Sequence, residues 1–169
     1  MKNYTPILLL LVFLMFAFTS CSKDDDGIYF EEKEAPELTN AASYTGLEAS
    51  IIDLLNEHRV SLGLNPLSPL DIISMESSSH TDYMIENDEI SHNNFSERAA
   101  YLIENANAIT VGENVAYGYS TAKGVVTGWL NSEAHRLTIE NPTYTNVGIS
   151  IKTNDNNRNY FTNMFIKIK

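Results

Sequence analysis

The chain has 169 residues and one cysteine, Cys21. An internal disulfide is therefore impossible, and the fold must be held by packing. Basic side chains are scarce: 11 Lys and Arg stand against 22 Asp and Glu, for a formal net charge of −11. Nucleic-acid binding rewards clustered Lys and Arg, so this balance argues against it. It argues equally against direct electrostatic docking on anionic lipid. Internal repeats are absent, and so is a short metal motif of the His-Glu-x-x-His kind. No nucleophile suited to covalent catalysis stands out.

The one long apolar run is Ile7 to Phe18. It follows Lys2 and precedes Thr19-Ser20-Cys21. A short basic start, an apolar run and small residues describe an export signal, and the run is too short for a transmembrane helix. Cys21 stands where a bacterial lipoprotein signal is cut and the cysteine acylated, for example with palmitate. The expected organisation is a signal peptide over 1–20, an acylated Cys21 with an acidic tether over 21–43, and one domain over 44–169. The domain is large enough for a real core. Removing Lys2 with the leader makes the chain one unit more acidic. Cys21-Ser22-Lys23-Asp24-Asp25-Asp26 resembles the lysine-then-acids tag that sends Bacteroidetes lipoproteins to the outer face of the outer membrane. Ile28-Tyr29-Phe30 is an apolar cluster inside the tether, expected to dock locally.

Within the domain, Leu47, Ile51, Leu54, Leu55 and Leu62 recur at helical steps, with Glu48, Asp53, Glu57 and Arg59 mostly elsewhere. Gly63 then caps and Pro66 stops this first helix. His58 is expected on its polar face. A second helix starts at Pro69 or Asp71 and runs to Glu86. Ile73, Ser77, His80 and Met84 line its inner side, and the small serines suggest close approach to another element. His80 reads as a hydrogen-bonded core group rather than a ligand. After the polar loop Ser91-His92-Asn93-Asn94, Ser96 is expected to cap a third helix through Asn105. Arg98 is expected to fix that loop.

Residues 111–135 carry two carboxylates and a histidine that look placed. Gly112 permits close backbone approach, so Glu113 can sit in a tight spot that Asn114 helps to fix. Ser120 or Thr121 caps a helix whose Val125, Val126, Trp129 and Leu130 share a face. Glu133 and His135 are two apart and do not face each other on one helix. If both enter one site, the helix must end or bend between them. Beyond Asn141-Pro142 the period changes. Val147, Ile149 and Ile151 alternate with Gly148, Ser150 and Lys152, and Asn159 to Lys167 is apolar on both sets of positions. These are two strands joined by a turn, the second one central. Helices first and antiparallel strands last suit an α+β sandwich.

Four motifs stand in order: Ser91-His92, then Gly112-Glu113-Asn114-Val115-Ala116-Tyr117-Gly118-Tyr119, then Trp129-x-x-Ser132-Glu133-x-His135-Arg136, then Asn141-Pro142-x-Tyr144-Thr145-x-x-Gly148. From Leu47 to Lys169 the chain resembles the bacterial branch of the CAP superfamily, the SCP-like domains of cysteine-rich secretory proteins, antigen 5 and pathogenesis-related proteins. The resemblance implies a three-layer α-β-α sandwich with a central antiparallel sheet. It also implies a cavity lined by His92, Glu113, Glu133 and His135. Many bacterial relatives carry Pro after the serine where Glu133 stands.

Two imidazoles and two carboxylates could close a tetrahedral site for Zn2+ or another divalent cation. They could form a more open site, with carboxylates holding the far nitrogens of histidine ligands. They could act as general acid and base, or form a buried polar network that fixes the packing. Ser91 and Ser132 stand beside site residues, but such serines are commonplace in the family. Tyr117, Tyr119, Tyr144 and Tyr160 could form a stacking rim or be half-buried with hydroxyl partners. The sequence therefore points to an envelope-anchored binding domain whose partner is a protein, a lipid or a cell-envelope component. The competing reading is a hydrolase, acting on peptides, that uses the same four residues.

Overall fold

The structure is a computed structural model that describes Tyr44 and residues 46–169. Cys21, the leader and the tether lie outside the described residues.

Helix α1 (Leu47–Ser61) buries Ile51, Ile52 and Leu55. It ends as its glycine requires: Gly63 takes φ 75°, and Leu64 N–H returns to Arg59 O at 3.0 Å. Leu62 falls past the end and is exposed. Arg59, expected among the polar positions, is instead fully buried. Its guanidinium donates to Asn65 O at 3.0 Å, Ile139 O at 2.6 Å and Asn141 O at 3.0 Å. An arginine is tolerated there because four backbone carbonyls, Tyr144 O being the fourth, accept from its guanidinium. His58 is likewise not free on a polar face: its Nε2 lies 2.9 Å from Glu140 Oε1.

The two-residue β1 (Ser68–Pro69) leads into α2 (Asp71–Glu86), which buries Ile73, Ser77, His80 and Met84 as its spacing predicts. The serines do mark a close approach, since Ser77 Oγ donates to Gly148 O at 3.3 Å. Helix α3 (Phe95–Asn105) begins one residue before Ser96. Its N-cap is Asn94 in the left-handed region, with no side-chain cap. Strand β2 (Ala108–Tyr117) was not expected from the sequence. Its central residues carry polar Thr110, Gly112, Glu113 and Asn114, so no alternation announces it. Thr121 caps α4 (Ala122–Asn131) by accepting from Gly124 N–H at 3.1 Å. A break at Ser132 separates α4 from α5 (Glu133–Ile139). The last two strands are β3 (Asn146–Thr153) and β4 (Asn159–Ile168).

The sheet order is β1-β3-β4-β2. Strand β4 is central, antiparallel to both β2 and β3. The sheet is mixed rather than antiparallel throughout, because β1 pairs parallel with β3. A proline ends this edge strand, where a missing N–H costs no ladder bond. One face of the sheet packs Ala116, Val147, Ile149, Phe161 and Phe165 against α1, α4 and α5. The other packs Val115, Tyr160, Met164 and Ile166 against α2 and α3. This gives the expected three layers. Trp129 is the largest fully buried side chain, and its indole N–H reaches Val115 O at 3.0 Å.

Candidate functional site

Strand β2 lies at the outer edge of the sheet. Alternation sends Glu113 toward α2 and α3 while its neighbours Gly112 and Asn114 face α5 and Tyr144. Gly112 is needed here, since a Cβ would stand 2.3 Å from Tyr144 Oη and 3.1 Å from Thr138 Cγ2. That close packing was the expectation from sequence.

Glu113 is the hub. Its side chain is 1% exposed, whereas that of His92 is 52% exposed. Arg98 grips the carboxylate with two bonds, Nε to Oε2 at 2.9 Å and Nη2 to Oε1 at 2.8 Å. Such a forked pair is the strongest arrangement available to these groups. His92 Nδ1 donates to Oε1 at 2.8 Å. That bond leaves Nε2 of the exposed ring with its lone pair when the ring is neutral. Arg98 Nη1 also donates to Asn93 O at 2.7 Å, so the arginine fixes the loop as expected.

His80 lies behind this group. Its Nε2 donates to Ser91 O at 2.7 Å and stands 3.9 Å from Glu113 Oε1. Burial lowers its pKa, and its Nδ1 is buried and without a partner among the described residues. It is the hydrogen-bonded core histidine that the sequence suggested.

The other half of the site comes from α5. Asn114, fully buried, donates from Nδ2 to His135 O at 3.0 Å. His135 is half-buried, and its pKa is lowered by burial and by the charge of His92. The bend expected between Glu133 and His135 instead comes at Ser132, before both. As a result the two lie on one helix, two residues apart, and Glu133 is exposed. The hydrogen bonds of the site run through Glu113 rather than Glu133.

A cavity of about 350 Å³ opens here, lined by His92, Phe95, Gly112, Glu113, Thr138 and Tyr144, among others. Among the described residues, no three His, Cys, Asp or Glu side chains are grouped to hold a metal. A cation on Glu113 would also have to compete with the Arg98 guanidinium. The four-ligand closed site does not fit this placement.

Arg98 as partner of Glu113 went unread in the sequence, although a signal was there. Phe95, Arg98 and Leu102 share one face of α3, and an inward arginine needs acceptors, a buried carboxylate among the candidates. Of the four tyrosines, Tyr144 and Tyr160 are buried, and Tyr160 Oη donates to Asp88 Oδ1 at 3.0 Å. Tyr117 and Tyr119 are exposed.

Residues 52–165 match the family model described as CAP, the cysteine-rich secretory protein family. Over 128 residues the chain is 35% identical to the uncharacterized membrane protein YlbC of Bacillus subtilis, a match covering 73% of this chain and 35% of that one. The chain thus spans about a third of the length of this curated relative. Among solved structures, it is similar to an outer surface protein from Borrelia burgdorferi, with a TM-score of 0.66, 23% identity, and 74% and 97% of the two chains covered. It is also similar to an extracellular protein containing a SCP domain from Bacillus anthracis, with a TM-score of 0.63, 26% identity, and 72% and 40% covered. With its fold matched in solved structures and its motifs matched by the family model, the chain belongs to the CAP family of cysteine-rich secretory proteins.

Proposed function

We propose that this CAP domain is an exported, envelope-anchored binding module rather than an enzyme, with a His92/His135 pair able to hold a divalent cation such as Zn2+. One observation carries the reading: Glu113 holds Nδ1 of His92 and is itself gripped by Arg98, which leaves Nε2 outside that bond on a ring that lines the cavity. Burial helps to keep His135 neutral, the form that ligates. The bound cation would supply a Lewis-acidic point for a carbonyl, carboxylate or phosphate of the partner. That partner is a protein, a lipid or a cell-envelope component.

The hydrolase reading draws no support from Ser91, whose Oγ donates to Glu89 Oε1 at 3.1 Å. The test is calorimetric zinc titration of the chain without its first 21 residues, beside a His92→Ala/His135→Ala double variant checked by circular dichroism. One-to-one binding that the folded variant loses is the expected result. Equal binding by both would reduce the four residues to polar packing.

Anchoring is proposed through acylation of Cys21, with the protein displayed on the outer membrane. The leader pattern supports this, as do the relatives named as membrane, outer surface and extracellular proteins. Metabolic labelling with an alkynyl fatty acid should tag the chain and fail on Cys21→Ala. Protease accessibility on whole cells reads the exposed face.

A further inference from the structure

The sheet has a second open edge, away from Glu113. Strand β1 covers only Asn146 and Val147 of β3, so among the described residues β3 has no strand on its outer side from Gly148 onward. Register with β4 turns the backbone of Ile149 and Ile151 to that side. Their N–H groups meet side chains instead of a strand: Ile149 donates to Tyr44 Oη and Ile151 to Glu48 Oε1, each at 3.3 Å. Both bonds are longer than is usual for N–H···O.

This edge is the floor of a cleft of about 850 Å³. Tyr44 and Glu48 of the α1 side form one wall, and Asp71, Ser74, Met75 and Asp82 of α2 form part of the other. Met75 is 65% exposed and offers an adaptable apolar contact. Three carboxylates face the cleft against one cation, Lys152, which is already paired with Asp82. Burial raises the pKa of Glu48, and the bond from Ile151 N–H works against that rise.

An unpaired edge recognises extended backbone, and the cleft's charge selects which side chains that backbone carries. We propose that an extended, Lys- or Arg-bearing segment of a partner protein docks here as an added strand. Its carbonyls replace Tyr44 Oη and Glu48 Oε1 on the Ile149 and Ile151 N–H groups. The released Glu48 carboxylate, with Asp71, then faces the segment's cations. The same acidity disfavours a second copy of this chain, whose net charge is −11. Until a strand arrives, the two side chains blunt the edge against unwanted pairing.

The test uses the full-length chain in mild detergent and fluorescein-labelled decapeptides of alternating Lys and Val, or alternating Glu and Val. Saturable anisotropy change is expected with the Lys-Val peptide only, together with slowed hydrogen exchange at the Ile149 and Ile151 amides. Ile151→Pro removes an outward N–H but no bond to β4, and should weaken binding at least about tenfold. Should that variant unfold, Glu48→Gln keeps the backbone intact and should weaken binding about threefold at low salt. Four results would each overturn the proposal: no saturation with the Lys-Val peptide, equal binding of the Glu-Val peptide, unprotected amides at 149 and 151, or a concentration-dependent dimer that uses this edge.

Discussion

The two halves of the candidate site are built differently. The β2–α3 half is locked: Glu113 has two bonds from Arg98 and one from His92, and Arg98 also ties down Asn93. The α5 half, which carries His135 and Glu133, meets β2 through one side-chain bond, from Asn114 to His135 O. One half is therefore locked from within, whereas α5 is held mainly from the α1 side, where Arg59 donates to Ile139 O at 2.6 Å and His58 Nε2 lies 2.9 Å from Glu140 Oε1.

The largest expected effect comes from unlocking the rigid half. Arg98→Ala strands a buried carboxylate and should cost about 3–5 kcal/mol in urea unfolding. Arg98→Leu combined with Glu113→Leu should recover much of that loss. If the single variant costs under about 1 kcal/mol, Glu113 is not the fixed hub described.

The next effect strikes where the halves touch. Gly112→Ala forces a Cβ onto Tyr144 and Thr138 and should cost about 1–3 kcal/mol. Adding Tyr144→Phe removes the nearest clashing atom and should recover part of the loss. Equal costs in both backgrounds would mean that Tyr144 does not set the approach of α5 to β2.

A smaller loss, about 1 kcal/mol, is expected from Asn114→Ala, which cuts the tether to α5. The loss is limited because Asn114 Oδ1 is already buried without a partner among the described residues. Faster hydrogen exchange confined to α5 would sharpen the contrast between the halves, whereas faster exchange spread over the whole domain would erase it. The smallest effect belongs to Glu133→Gln, within about 0.5 kcal/mol in stability. It should leave zinc affinity unchanged if the imidazole pair is the donor set. A tenfold loss would restore Glu133 as a ligand.

Much of this was legible in the chain. Helices α1, α2 and α4 carry apolar residues at helical spacing, and β4 is apolar on both sides, so its central place could be read directly. Gly112 beside Glu113 announced a tight spot. Strand β2 was not legible, because a strand that carries a functional carboxylate and a glycine loses the alternation that marks strands. The buried roles of Arg59 and Arg98 were hidden for a related reason. A charged side chain reads as solvent-facing until its partners, here carbonyls 80 or more residues away and a carboxylate 15 away, are placed around it.

Sequence by itself determined the layers, the family resemblance and the identity of the candidate site residues, because periodicity and short motifs are local properties. Tertiary structure alone decided which of those residues meet. Glu113 was drawn to Arg98 and His92 because a buried carboxylate needs donors, and a guanidinium supplies charge as well. Glu133 was left outside because the helix broke at Ser132 rather than after it. Among the described residues the edge of β3 is open because β1 stops after two residues, leaving backbone groups that side chains satisfy.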